Sequence, residues 1–334
     1  MTYNQIIKDL ENKNFKPIYF LHGEEPYYID KITNYIVNNV LSESEKSFNQ
    51  TIFYGRDTNV PTIINAAKRF PMMSSNQVIV VKEAQYLDKL EDLIYYVEKP
   101  LKSTLLVIAY KHKKVDKRRK LFNTLKKKDF TYESTKLYDN KIPGWITNYL
   151  KERNYDITPK ASLLLTEYLG SDLSKITGEL EKIFITLSPG IRKIDLETIE
   201  ENIGISKDFN NFELTNALSV KDILKANRIV NYFAANPKNN PTTLTISSIH
   251  FFFSKVLAYH SLKNKSTAII ASELKINPFF VNEYKRAAAN YGSQKLVEIV
   301  SLLREYDLKT KGWGNTGISP GNLLKELIFK ILHL

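Results

Sequence analysis

The sequence predicts a parallel α/β unit followed by helical units, and three observations carry that prediction. Short apolar runs recur through the first part of the chain, at residues 18–21, 77–81, 105–110 and 130–132, with helical patterning between them. Val78-Ile79-Val80-Val81 is an unbroken β-branched run, as a strand covered on both faces requires. From Trp145 onward the strand signal stops, and apolar residues repeat at three and four positions instead. The first part is thus expected to hold a parallel sheet of about five strands with right-handed helical crossovers.

Taken in order, Ile18-Tyr19-Phe20-Leu21 is a strand after a charged amphipathic helix. His22-Gly23-Glu24-Glu25-Pro26 turns the chain into a helix over residues 27–41. Residues 66–84 read as a helix end, a short loop and a buried strand. Pro71 stops the helix because it has no amide donor and displaces Phe70 from helical geometry. Helices over 87–97 and 118–127 supply further crossovers. Ile142-Pro143-Gly144 marks a boundary, with Trp145 opening the next helix. Thr158 is an N-cap with Pro159 at the first helical position. Leu164, Leu165, Tyr168 and Leu169 form one face, and Gly170-Ser171-Asp172 breaks that helix. Leu173, Ile176, Leu180, Ile183 and Leu187 make the next stripe, closed by Ser188-Pro189-Gly190, and a short helix runs from near Asp195 to Gly204. Beyond about Asp208 the chain is helical, with stripes at Ile223, Ala226, Val230 and Phe233 and at Leu296, Ile299, Leu303 and Tyr306. Phe251-Phe252-Phe253 reads as core. A chain of 334 residues is long for one core, and the expected domains are 1–143, 144–206 and 207–334.

Composition narrows the function. No cysteine is present, which removes disulfides, thiolate metal sites and cysteine nucleophiles. No apolar run reaches the ~20 residues that span a bilayer, and the first residues lack a signal-peptide pattern, so a cytoplasmic protein without a membrane partner is expected. Net charge of +12 favours a polyanionic partner. Ten of the eighteen residues 111–128 are Lys or Arg. That run either grips phosphates or is a solvated helix face. The five histidines show no metal-ligand spacing, no nucleophile elbow is present, and Glu179 and Glu181 beside Lys175 and Lys182 read as surface pairs. No catalytic, metal or cofactor site is expected.

A strand, glycine turn and helix is where a phosphate-binding loop would sit. Counting from Gly23, the second glycine, the lysine and the hydroxyl of that motif are replaced by Tyr28, Ile29 and Asp30. Glu24, Glu25 and Asp30 put carboxylates at the helix N-terminus, where they occupy its positive end and repel phosphate. Lys82 ends the strand at which an ATPase carries its magnesium-associated carboxylate, and a cation there opposes Mg²⁺. Met72 and Met73, two of three methionines in the chain, sit on the loop before that strand. They are either folded under as core or kept outward for a partner.

Residues 19–29, 71–84, Asp172-Leu173 with Glu179-Leu180-Glu181-Lys182, Asn277-Pro278-Phe279-Phe280 and Leu308-Lys309 together resemble the delta subunit of bacterial DNA polymerase III over the full length. The resemblance implies two AAA+-like domains, the first without a phosphate-binding loop, a small helical lid domain as the second, and a C-terminal helical collar. It implies a non-catalytic clamp-loader subunit within an assembly that is a DNA-directed DNA polymerase. Its partners would be the sliding clamp (beta subunit), gamma/tau-type and delta-prime-type loader subunits, and primer–template DNA. The family's hydrophobic pair that enters a pocket on the clamp falls on Met72 and Met73, flanked by Phe70 and Pro71, although the family often has Leu and Phe there. For DNA contact the similarity points to Trp313, Phe279 and Phe280 as stacking aromatics, with Lys309 and Lys311 for phosphate. Against that stands packing: either phenylalanine can staple a helix end, and Trp313 can fold into the collar. Two rivals have other chemistry: an autonomous basic nucleic-acid-binding protein gripping through residues 118–128, and a divergent ATPase.

Overall fold

The computed structural model describes every residue except Pro189, Lys207 and Thr316, together with the side chain of Asp139. The chain forms two compact units, Met1–Tyr138 and Asp139–Leu334. The helix stop expected at Pro189 and the domain start expected at Lys207 lie outside the described residues.

The first unit is built on β1 (Ile18–Gly23), β2 (Gln50–Tyr54), β3 (Gln77–Lys82), β4 (Thr104–Lys111) and β5 (Thr131–Ser134). They form one parallel sheet in the order β2-β3-β4-β1-β5. The central strands are apolar throughout because both faces are covered. Tyr19, Leu21, Val78, Val80, Leu105 and Val107 face Ile6, Leu10, Ile29, Ile32 and Ile36 of the helices Tyr3–Glu11 and Pro26–Asn39. Ile18, Phe20, Ile79, Val81, Leu106 and Ile108 face Val60 and Ile63 of the helix Val60–Ala67 and Leu121, Phe122 and Leu125 of the helix Lys120–Lys127.

Three local expectations are corrected. β2 was not read as a strand from the sequence, although Thr51-Ile52-Phe53-Tyr54 is β-branched and aromatic; it lies at the sheet edge with little burial and is paired to β3. Residues 87–97 are not one helix but one 3₁₀ turn, Leu90–Leu93, running into a single α-turn, Ile94–Val97, and Lys89 before them takes left-handed backbone. The helix expected to open at Trp145 begins at Ile142, with Pro143 in its first turn, where a missing N–H is harmless.

The second unit is helical except for a short parallel pair, β6 (Asp156–Ile157) with β7 (Lys193–Ile194), so the strands do not stop at Trp145. Thr158 caps the helix Pro159–Leu169 by accepting from the Ala161 N–H, and Asp195 and left-handed Gly204 bound the helix Leu196–Ile203, as their residue types predict. Leu173, Ile176, Leu180 and Ile183 are all buried. The helices from Asn211–Ser219 to Pro320–His333 share one large core that includes Phe233, Ile249, Phe253, Tyr291, Leu303, Tyr306 and Leu327. Ile223 lies outside it, as does Phe251, whose exposed ring is covered by the Lys255 ammonium at 3.9 Å; only Phe252 and Phe253 of that triplet are core.

Gly23 pairs with Ser134 where β1 and β5 end. Its φ is 141°, and a Cβ there would lie 1.9 Å from the Ser134 carbonyl oxygen. No side-chain rotation relieves a clash with backbone. Gly23→Ala is expected to destabilise the first unit by about 3 kcal/mol or more. Chemical denaturation measures this, and a neutral variant would show that the strand ends can separate freely.

Candidate functional site

The loop of residues 68–76 joins the helix Val60–Ala67 to β3, and its geometry follows from four buried side chains with polar groups beneath it, Gln77, Thr104, Tyr96 and Asn49. Gln77 opens β3 with its amide turned inward, donating to the Arg69 carbonyl and, at 2.7 Å, to Thr104 Oγ1. Thr104 donates in turn to the Ala67 carbonyl at 3.0 Å, which also accepts from the Tyr96 hydroxyl at 3.3 Å. The carbonyls at the helix end, which have no partner within the helix, are thus satisfied from the core side. On the other flank, Asn49 ends the helix Glu43–Asn49 with a buried side chain. Its Oδ1 accepts from the Met72 N–H at 2.7 Å and its Nδ2 donates to the Met72 carbonyl at 2.9 Å.

With the backbone held from beneath, the apolar side chains point out. Phe70 is 77 %, Met72 61 % and Met73 wholly exposed; Pro71 is half-buried. Met73 sits at φ 51°, a left-handed conformation unusual for a residue with a Cβ. Ser74 ties the loop's far side by accepting from the Asn76 N–H and lies against the Glu45 carboxylate. That carboxylate is held below its usual range, first by the Ser42 N–H, then by the Ser42 hydroxyl and Ser74. Of the two readings open for the methionines, core or outward display, the geometry is display. Asn49 and Gln77 escaped the sequence reading because an Asn or Gln at the edge of an apolar stretch gives no sign of which backbone it will pair with. Phe48, exposed on the helix that carries Asn49, escaped for want of any pattern.

The strand–turn–helix that lacks a phosphate-binding motif is occupied by its own side chains. Buried Glu25 caps the helix by accepting from the Tyr27 N–H at 3.0 Å, and Asp30 pairs with Lys111 at 2.9 Å. His22 lies edge-on to the Phe122 ring, and burial pulls its pKa down to about 4. The basic run is likewise engaged: Lys117 with Glu133, Arg118 with Asp116, Lys120 with Glu98 and Lys114 with Glu24. Exposed pairs of this kind are weak, yet they cancel much of the field a phosphate would feel.

In the second unit the DNA-contact candidates separate. Phe280 is 7 % exposed, stacked toward Phe212 and packed in the large core, so it has no free ring face for a base and is withdrawn as a stacking residue. Its neighbour Phe279 is exposed. Trp313 is 75 % exposed and is presented by a helix cap: the Gly312 N–H reaches the Lys309 carbonyl, the Trp313 N–H reaches that of Leu308, and Gly312 takes φ 93°. Lys309 and Lys311 each pair with a carboxylate one turn back, Glu305 and Asp307, both at 2.6 Å. Among the described residues no three His, Cys, Asp or Glu side chains are placed to hold a metal, and no helix is long and apolar enough to cross a membrane.

A five-stranded parallel sheet of this order ahead of a helical region is AAA+-like architecture. Residues 19–134 match the family model described as DNA polymerase III, delta subunit, and residues 208–330 match that of the delta subunit's C-terminal domain. The Bacillus subtilis DNA polymerase III subunit delta is 25 % identical over 330 residues, covering 96 % of this chain and 94 % of that one. The solved Bacillus subtilis DNA clamp loader delta protein aligns over the whole of both chains with a TM-score of 0.54 at 23 % identity, a likeness of fold. This chain belongs to the delta-subunit family of DNA polymerase III, the clamp-loader subunits of that replication machinery.

The His22 burial has a measurable consequence. In the folded state its pKa of about 4 lies below the ordinary 6.5, so the unfolded chain binds the extra proton first. Its contribution is therefore complete above about pH 6.5 and is lost as pH falls toward 4. Between pH 7 and pH 4.5 the wild type should lose more stability than His22→Gln, by a margin of about 2 kcal/mol. Equal losses in paired denaturation series would contradict the burial argument.

Proposed function

We propose that this subunit binds the ring-shaped sliding clamp through the loop of residues 70–73, with Met72 and Met73 entering an apolar pocket on the ring and Phe70 and Pro71 lying at its rim. It helps open the ring and works with gamma/tau-type and delta-prime-type subunits in the cytoplasm, contributing no nucleotide site of its own. The single observation that supports this reading is the outward display of Phe70, Met72 and Met73 on a backbone fastened by buried side chains. A few well-desolvated anchors carry most of the affinity of such an interface. Division of labour follows the domains 1–143, 144–206 and 207–334, the first for the clamp and the last for assembly.

The test is binding of the purified chain to its host's clamp, wild type beside Met72→Ala/Met73→Ala. The double variant should lose tenfold or more, ~1.4 kcal/mol, at unchanged thermal stability. Unchanged affinity would move the clamp contact elsewhere.

Contact with primer–template DNA in the assembled loader is assigned to Trp313 and Phe279, supported by their exposed rings, with Lys309 and Lys311 exchanging their carboxylates for phosphate. Trp313→Ala should weaken DNA binding of the assembly by about 1–3 kcal/mol, the usual worth of one stacked base. A silent variant in a fluorescence titration would leave Trp313 without that role. The autonomous-binder alternative is less favoured because part of its basic segment, Arg118, Arg119 and Lys120, is already paired with carboxylates.

A further inference from the structure

We propose that Asn49 is the positioning residue of the docking loop, setting Met72 and Met73 in their binding geometry before any partner arrives; this rests on the reading of those methionines as clamp anchors. The side-chain amide of Asn49 offers one acceptor and one donor at the spacing of a peptide group, and both meet the same residue, Met72, at 2.7 and 2.9 Å. It therefore acts as a one-residue strand laid beside the loop. A third bond, Asn49 Nδ2 to the Glu45 carbonyl at 3.1 Å, anchors the amide to its own helix. The residue is 4 % exposed while Met73, one position beyond the clamped backbone, is wholly exposed.

The chemistry of the pairing makes it selective. Aspartate at position 49 would still accept from the Met72 N–H but would set a second anionic oxygen against the Met72 carbonyl. Alanine would leave both groups of Met72 to solvent. An unfastened loop samples many backbone states, and a partner must then order it on binding; a fastened one is already ordered, and the affinity gained is that ordering entropy. Gln77 does not duplicate this action, because it holds Arg69 on the helix side of the loop. The methionines are the contacts and Asn49 is the device that aims them.

The experiment is a thermodynamic cycle on clamp binding: wild type, Asn49→Ala, Met72→Ala/Met73→Ala, and the triple variant, with thermal unfolding recorded for each. Asn49→Asp is run beside Asn49→Ala as the near-isosteric variant in case the smaller side chain loosens the fold. Asn49→Ala should weaken binding roughly tenfold in the wild-type background, through faster dissociation, and by less than about twofold once the methionines are gone. Hydrogen exchange at the Met72 amide should accelerate on the order of tenfold in the free Asn49→Ala protein, since its acceptor has been removed. Equal losses in both backgrounds would mean a general structural effect and overturn the proposal, as would unchanged binding in Asn49→Ala. Loss of binding in the methionine variant with none in Asn49→Ala or Asn49→Asp would overturn the positioning role alone. Unchanged binding in the methionine variant would overturn the anchor reading and this inference with it.

Discussion

The carbonyl oxygen of Ala67 is where the architecture of the first unit is decided. It lies at the end of a helix, where carbonyls lack intrahelical partners, yet it is directed into the core and accepts from both Thr104 and Tyr96. Leaving such a group unpaired in the interior costs about 1–3 kcal/mol, so Thr104 at the mouth of β4, Gln77 at the mouth of β3 and Tyr96 in the crossover between them are committed together. The same buried groups that hold this helix end also fasten the start of the loop, through Gln77 to the Arg69 carbonyl. Phe70, Met72 and Met73, beyond that fastening, are exposed.

What was legible in the sequence is what burial alone dictates. The β-branched run at Val78–Val81 became the interior strand β3 and the stripe at Leu173, Ile176, Leu180 and Ile183 became a buried helix face, because a wholly covered element leaves a wholly apolar trace. The cap at Thr158 was legible because a short side chain satisfying orphan amides is a local matter. The replaced phosphate-binding motif was legible for the same reason, as Tyr28, Ile29 and Asp30 are read directly.

What was not legible depends on partners far along the chain. Edge strand β2 owes its place to main-chain pairing with β3, and its Thr51-Ile52-Phe53-Tyr54 run is short and mostly exposed, so burial left little trace there. The cationic run gave no sign of which of its members meet carboxylates, and Glu133, Glu98 and Glu24 come to it from other parts of the chain. Adjacent phenylalanines divide between core and solvent at 279 and 280, and again at 251 and 252, since neighbours on a helical turn differ by about 100° in direction and only tertiary packing says which faces in. The loop's fastening by Asn49 was hidden for the same reason: 23 positions separate it from Met72.

Met73 is under two demands that pull apart. Its backbone occupies the left-handed region, in which glycine or asparagine would sit with less strain, by roughly 1 kcal/mol. Glycine there would relax the turn and erase the largest outward apolar group on the loop; asparagine would relax it and make the tip polar. Backbone comfort and outward apolar display therefore cannot both be met at position 73, and the chain as it stands takes the display and carries the strain.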